Sequence, residues 1–146
     1  MPKRMVGNLI AGRPLISTSR DVTVRAACCL MAEKRIGALL VLDQQRIAGI
    51  FTERDALNKV LATGIDPETT KLAQVMVSDP MTIRADKPLG YALAMMSDGG
   101  FRHVPVFDDS GAPLGMVSAR DALGQDLLEL EKEMKRREDL EASIGY

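Results

Sequence analysis

Apolar positions follow a helical spacing and then a strand spacing, and this order occurs twice along the chain. Each predicted helix has one apolar face at the spacing i, i+3, i+4, i+7. The positions are Val24, Ala27, Cys28 and Met31 in the first helix and Leu89, Ala92, Leu93 and Met96 in the second. Two short apolar runs follow each helix and predict strands, ALLVLD and IAGIF in the first case and HVPVFD and LGMV in the second. The turns between the runs, DQQR and DDSGAP, predict hairpins.

A short extended piece precedes each helix and another helix follows each hairpin, so the predicted unit is β-α-β-β-α. Sliding the chain by 66 residues aligns the two units without a gap. The matched pairs include Pro14 with Pro80, Ala26 with Ala92, Asp43 with Asp109, Gly49 with Gly115, and Arg54-Asp55-Ala56-Leu57 with Arg120-Asp121-Ala122-Leu123. We therefore predict two copies, 8–62 and 74–128, with a linker at 63–73 and a helical extension at 129–146. Because one copy of about 55 residues has little apolar area to bury alone, we expect the copies to pack sheet to sheet in one α+β body.

Composition and charge exclude several classes of function. Of the 146 residues, 46% are hydrophobic and 27% are charged, and the net charge is -1, which is typical of a globular protein without the basic surplus of a non-specific nucleic-acid binder. The N-terminal segment MPKRMVGNLIAG lacks the apolar core of a secretory signal, and no run reaches the roughly 18 apolar residues of a membrane span. A cytoplasmic location without membrane contact is the expectation.

The residues offer little for catalysis or metal binding. The adjacent Cys28 and Cys29 predict neither a disulfide framework nor a zinc motif, and both are expected to be buried. His103 is the only histidine, and a lone histidine beside a strand is more often packed in the core than catalytic. We expect no enzyme, no metal and no catalytic cofactor.

The most informative feature is a repeated motif, GIFTERD at 49–55 and GMVSARD at 115–121. Thr52-x-x-Asp55 and Ser118-x-x-Asp121 both fit a capping box that begins a helix. The same geometry also suits a nucleotide, because a helix start exposes N–H groups to phosphate and a nearby carboxylate accepts from the two hydroxyls of a ribose. Gly37-Ala38-Leu39 and His103-Val104-Pro105 offer walls for a flat base. The residues alone leave both interpretations open.

The segments KRIGALLVLDQQRIAGIFTERDAL and FRHVPVFDDSGAPLGMVSARDAL resemble the two halves of a CBS-domain pair, the regulatory module named after cystathionine β-synthase. The resemblance covers about residues 8 to 128 and is strongest to small stand-alone bacterial CBS-pair proteins. It implies that adenosine-containing ligands (AMP, ADP, ATP, NAD(H) or S-adenosylmethionine) bind as regulatory ligands in clefts between the copies.

The resemblance also implies roles for particular residues. The motif hydroxyls Thr52 and Ser118 would approach phosphate, and Asp55 and Asp121 would hold ribose. The positions that would hold the adenine are Ile16, Ser17, Gly37, Ala38, Ile83, His103, Val104 and Pro105. Arg54 and Arg120 suit either a phosphate or a subunit contact. Because Pro105-Val106 follows the more typical family pattern and Leu39-Leu40 does not, the second cleft is the stronger candidate.

The tail continues the last helix with an apolar seam of Leu123, Leu127, Leu130 and Met134. Acids interleave with its basic residues, which favours a solvated helix face over a nucleic-acid patch. The seam has no partner inside the two copies, and the resemblance implies discs of four repeats, so we expect a homodimer. The function expected is a sensor of adenine nucleotides that acts on an unidentified protein target. The alternative is a structural or adaptor dimerisation module with no physiological ligand.

Overall fold

The computed structural model describes residues 4–143, apart from the side chains of residues 122, 123, 125–129 and 131. In the first half of the chain the elements are α1 (Val6–Ile10), β1 (Ser17–Ser19), α2 (Val24–Lys34), β2 (Ala38–Asp43), β3 (Arg46–Thr52) and α3 (Glu53–Asp55), which runs on as a π-helical turn (Ala56–Leu61). In the second half they are α4 (Leu72–Val75), β4 (Val77–Ser78), β5 (Ile83–Arg84), α5 (Leu89–Gly99), β6 (His103–Phe107), β7 (Pro113–Ser118) and α6 (Ala119–Ser143).

The strands form two sheets, one for each copy. The first has the order β1-β2-β3-β4 and the second the order β5-β6-β7. In both sheets the opening strand runs parallel to the next one, and the second and third strands form an antiparallel hairpin. The predicted hairpins are therefore confirmed. At the first of them Gln44 and Gln45 adopt φ values of 50° and 63°, the left-handed conformation that a tight hairpin turn requires.

Local chemistry sets the ends of the two long helices that the apolar spacing predicted. Helix α2 begins after Thr23, whose hydroxyl accepts from the Ala26 N–H at 3.1 Å. It ends at Arg35, which takes the left-handed conformation. Helix α5 begins after Pro88 and ends at Gly100, where glycine adopts a φ of 71° without steric cost. These signals explain why both helices span 11 residues.

Each sheet buries side chains on both faces. Leu39 and Val41 of β2 face α2 in one core, and Val104 and Val106 of β6 face α5 in another. Successive side chains of a strand point to opposite faces. Leu40 and Pro105, which lie between these residues, are also fully buried, yet they belong to neither core. The buried second faces agree with the expected packing of sheet against sheet.

The short helices α1 and α4 each pack in the core of the other copy, an arrangement that we call the exchange. Helix α1 lies at the start of the first copy but places Val6 and Ile10 in the core of the second, and the Gly7 N–H donates to the Ala85 carbonyl at 2.9 Å. Helix α4 lies at the start of the second copy but places Leu72 and Val75 in the core of the first. The shift of 66 residues relates the two helices, which the sequence pattern did not predict because five and four residues are too few to show a helical period.

Each motif begins with glycine, and the two glycines are required for different reasons. A Cβ at Gly49 would lie 2.7 Å from both the Met76 sulfur and the Val77 carbonyl oxygen, so glycine makes room for the segment that arrives from the other copy. At Gly115 a Cβ would lie 3.4 Å from Ile10 Cδ1, an ordinary contact distance. There the φ of 154° favours glycine, because other residues rarely adopt it.

Two expectations about the surface have different outcomes. Cys29 is exposed, so the prediction that both cysteines are buried is wrong for it, while Cys28 is half-buried and burial raises the pKa of its thiol. The predicted C-terminal helix is confirmed as part of α6. In its seam Leu130 and Met134 are 52% and 55% exposed, and the side chains of Leu123 and Leu127 lie outside the described ones. No helix within residues 4–143 is long and apolar enough to cross a membrane.

Candidate functional site

Both copies of the motif form the helix cap that their spacing predicted. The Thr52 N–H donates to Asp55 Oδ2 at 3.0 Å, and the Asp55 N–H donates back to Thr52 Oγ1 at 3.2 Å. In the second copy the Ser118 N–H donates to Asp121 Oδ2 at 2.8 Å, and the Asp121 N–H donates to Ser118 Oγ at 3.2 Å. The hydroxyl and the acid of each motif thus satisfy N–H groups at the helix start.

The second oxygen of each acid contacts a cation. Lys59 Nζ lies 3.2 Å from Asp55 Oδ1 and also donates to the Val75 carbonyl at 3.0 Å. Arg13 Nη1 lies 2.8 Å from Asp121 Oδ1. The two cations come from positions that are not equivalent, because the shift of 66 pairs Lys59 with Gln125 and Arg13 with Asp79.

The two acids differ in how much hydrogen-bonding capacity remains. A carboxylate accepts about four hydrogen bonds. Asp55, which is 8% exposed, accepts from the Thr52 N–H and the Thr52 hydroxyl at Oδ2 and forms an ion pair with Lys59 at Oδ1. Among the described residues Asp121 accepts from the Ser118 N–H at Oδ2 and forms an ion pair with Arg13 at Oδ1. Asp121 therefore keeps one more acceptor position for a ribose hydroxyl than Asp55 does.

A cavity of about 710 Å³ opens beside the first motif, and we call it the first cleft. Its size is within the range of small-molecule sites. The first copy contributes Gly37, Ile50, Thr52, Glu53, Arg54, Asp55 and Leu57. The second copy and the segment before it contribute Val77, Asp79, Pro80, Met81, Gly100, Phe101, Arg102 and His103. Residues of both copies thus form its walls.

Five of the predicted site residues line the first cleft. They are Gly37, Thr52, Arg54, Asp55 and His103. The wall formed by Val77, Asp79, Pro80 and Met81, together with Phe101 and Arg102, was missed by the sequence reasoning. A signal for Pro80 and Met81 was present, since they belong to the PMTI segment that resembles PLIS in the first copy.

The other predicted site residues lie elsewhere. Ala38, Ile83, Val104 and Pro105 are buried and do not line the first cleft. Ile16 packs against the first core, and Ser17 is half-buried in β1. Ser118, Arg120 and Asp121 are the residues that the shift of 66 relates to Thr52, Arg54 and Asp55, and we call the region around them the second cleft. Of these three, Arg120 lines a smaller cavity of about 450 Å³ together with Arg35 and Cys28.

Charges of both signs line the first cleft. Glu53, Asp55 and Asp79 carry carboxylates, and Arg54 and Arg102 carry guanidinium groups. Burial lowers the pKa of His103 below its usual 6.5, against the opposing pull of the Glu53 and Asp121 carboxylates, so the imidazole is neutral at pH 7. A neutral ring suits contact with a flat base. Among the residues that the structure describes, no group of three His, Cys, Asp or Glu side chains is placed to hold a metal ion.

Comparison with known proteins places this architecture in a family. The CBS domain family matches residues 6–62 and 72–136. A mitochondrial CBS domain-containing protein of Arabidopsis thaliana is 35% identical over 121 residues, which is 80% of this chain and 58% of that protein. The meiotically up-regulated gene 70 protein of Schizosaccharomyces pombe is 38% identical over 96 residues, which is 66% of this chain and 13% of that protein. The chain thus spans less than two thirds of the length of both relatives.

Solved structures agree with the family match. A protein with CBS domains from Burkholderia ambifaria has a TM-score of 0.79 at 30% identity, over 86% of this chain and 95% of that one. The CBS domain protein of Pyrobaculum aerophilum that was solved in complex with AMP has a TM-score of 0.75 at 26% identity, over 81% of this chain and 89% of that one. The fold and the family match define a pair of CBS domains. The chain belongs to the CBS domain family, and the resemblance stated from the sequence is confirmed.

Proposed function

We propose that the protein binds an adenosine-containing ligand between its two CBS repeats and acts as a regulatory module. The observation that carries the proposal is the cleft beside the Thr52–Asp55 motif, whose walls come from both copies. The AMP complex of the Pyrobaculum aerophilum protein supports this ligand class. The ligand is AMP, ADP, ATP, NAD(H) or S-adenosylmethionine, and the proposal extends to the second cleft at Ser118 and Asp121.

Each part of such a ligand has a counterpart in the first cleft. Met81, Phe101 and the neutral His103 offer apolar and flat surfaces to an adenine ring. Asp55 accepts from a ribose hydroxyl. Phosphate contact falls mainly to the Arg54 side chain, because the Glu53 N–H already donates to the Gly37 carbonyl at 3.0 Å and the Asp55 N–H is used in the cap.

Regulation would follow from the position of the ligand between the copies. A ligand that fits one arrangement of the two repeats shifts the equilibrium toward that arrangement by its differential affinity and by no more. The proposal includes a homodimer formed with the exposed seam of α6, a cytoplasmic location and an unidentified protein target. Light scattering coupled to size-exclusion chromatography tests the dimer, and a monomer at working concentration would contradict it.

Thermal unfolding in the presence of ligands tests the central proposal. The protein is heated with each of the five ligands in turn and with a guanine nucleotide as the control. A ligand at about 100 times its dissociation constant adds roughly 2.7 kcal/mol to the free energy of unfolding, which raises Tm by several degrees for a body of this size. The expected result is a rise with at least one adenosine compound and none with the guanine nucleotide. An unchanged Tm with every adenosine compound would contradict the proposal.

The second candidate function is an adaptor module without a ligand. The complete capping boxes favour it, because they account for the hydroxyl and the acid of each motif without any ligand. The substitution Met81→Trp separates the two functions, since Met81 lines the first cleft and takes no part in either cap. A sensor loses ligand binding at the first cleft, whereas an adaptor keeps its assembly state and has no binding to lose.

A further inference from the structure

The chain segments that enter the two clefts carry opposite charges at one equivalent position. The segment after α1 has Arg13, and the segment after α4 has Asp79, its counterpart 66 residues later. Asp79 lines the first cleft beside Asp55. Arg13 contacts Asp121 Oδ1 at 2.8 Å and so lies at the motif of the second cleft. A carboxylate in one cleft thus stands where a guanidinium stands in the other.

Lys59 does not remove this difference. Lys59 forms an ion pair with Asp55 but does not line the first cleft. It comes from the turn that follows the motif and donates to the Val75 carbonyl. Arg13 comes from the segment that the shift of 66 residues relates to the wall segment at Asp79. The guanidinium has five N–H donors, so it can hold Asp121 and still offer donors to a ligand.

The remaining charged positions add to the difference. The first cleft is lined by three carboxylates, Glu53, Asp55 and Asp79, and by two guanidinium groups, Arg54 and Arg102, which gives a net charge of -1. The equivalent positions of the second cleft carry one carboxylate, Asp121, and four cations, Arg13, Lys34, Arg35 and Arg120, which gives a net charge of +3. Of these cations, Arg13 is the one that forms an ion pair with the motif acid.

We propose that Arg13 and Asp79, which occupy one equivalent position, decide how many phosphates each cleft accepts. The second cleft takes an adenosine compound with two or three phosphates, since Arg13 forms charge-assisted hydrogen bonds with phosphate oxygens. The first cleft takes an adenosine compound with at most one phosphate, because Arg54 remains to hold that phosphate whereas Asp79 repels a longer tail. This inference rests on the proposed function and assigns a different ligand to each of its two clefts.

Calorimetric titration of the full chain with adenosine, AMP, ADP and ATP tests the inference. In the unmodified protein we expect one ATP site, whose affinity falls with added salt, and a separate adenosine site. Arg13→Gln is expected to weaken ATP binding about tenfold or more, the scale of a lost hydrogen bond to a charged group. Adenosine binding should change less than about twofold, because its site does not contain Arg13. Arg13→Lys is the matched control and should retain most of the ATP affinity.

Asp79→Arg tests the other half of the inference. It makes the first cleft resemble the second, so the number of ATP sites should rise from one to two. Arg13→Gln is used rather than Arg13→Asp because an acid facing Asp121 would destabilise the fold. The Tm without ligand shows whether Arg13→Gln and Asp79→Arg are folded.

Each outcome bears on a separate claim. If adenosine compounds bind but Arg13→Gln weakens adenosine and ATP equally, or Asp79→Arg adds no ATP site, the charge assignment is wrong and the proposed function stands. If no adenosine compound binds to the unmodified protein, the proposed function fails and the charge assignment fails with it.

Discussion

In the first cleft the acid of the repeated motif pairs with a lysine from the turn that follows it, whereas in the second it pairs with Arg13, which comes from the other copy. The backbone arrangement of the two motifs is nearly the same, and both acids form the same cap. The difference teaches that the duplicated motif fixes the helix start, while neighbours that the duplication does not preserve, Lys59 and Arg13, determine the charged partner of each acid.

The largest expected effect comes from the exchanged helix α4, whose removal would disturb the first cleft more than the second. Leu72 is fully buried in the first core, so Leu72→Ala should lower the free energy of unfolding by about 2–5 kcal/mol. Leu61→Ala is the matched control, because Leu61 is 71% exposed, and it should cost less than about 0.5 kcal/mol. Urea unfolding measures both. Similar losses in the two variants would mean that α4 is not part of the first core.

Two equivalent substitutions separate the clefts as binding sites. Met81→Trp should fill the first cleft and Leu15→Trp the second, because Leu15 is the counterpart of Met81. Each is expected to remove one of the two sites and to leave the affinity of the other within about twofold. Calorimetric titration with ATP and with adenosine measures how many sites each variant keeps. A loss of both ligands in either variant would show that the two clefts form a single site.

Removing the acids compares the two caps. Asp55→Ala should cost about 2 kcal/mol, because it removes a cap and leaves partly buried partners unpaired. Asp121→Ala should cost about 1 kcal/mol, the usual scale of a lost cap. The controls are Asp55→Asn and Asp121→Asn, which keep an acceptor for the cap and lose only the ion pair. Equal costs in denaturant unfolding would show that Lys59 and the Thr52 hydroxyl add no more to the first cap than Arg13 adds to the second.

The smallest expected effect is on the pH dependence of stability. It comes from His103 in the second copy, whose counterpart in the first copy is Gly37. Burial lowers the pKa of His103 from its usual 6.5, so the unfolded chain binds this proton more readily than the folded chain. Stability should therefore fall as the pH drops through about 6.5. His103→Gln should flatten that part of the curve relative to the unmodified protein. A curve of the same slope in the variant would rule out a contribution from His103.

The sequence predicted the parts of the fold that have a period or a cap. The strand runs beginning at Ala38 and His103 and the helices around Ala27 and Ala92 appear where the apolar spacing placed them. The motif caps were also predictable, because Thr52 and Ser118 stand three residues before an acid.

The remainder depends on contacts between parts of the chain that are distant in sequence. Helices α1 and α4 are too short for a visible period, and only their packing on the other copy's sheet shows what they do. Lys59 lies four residues after Asp55, so that pair could have been predicted from helix geometry. The contact between Arg13 and Asp121 could not, because it joins residues that only the folded arrangement brings together. The wall at Asp79 and Met81 was missed for the same reason.

The exchange of α1 and α4 makes each repeat an incomplete object. A half-chain that ends before α4 would lack Leu72 and Val75, and its own α1 would have no sheet to cover, since Val6 and Ile10 pack in the other copy. Two such half-chains can supply the missing helix to each other, as in a domain-swapped dimer. The 146-residue chain is thus built like a symmetric dimer joined into one polypeptide. In a dimer of identical half-chains both equivalent positions would carry the same residue, whereas in the joined chain one carries Arg13 and the other Asp79.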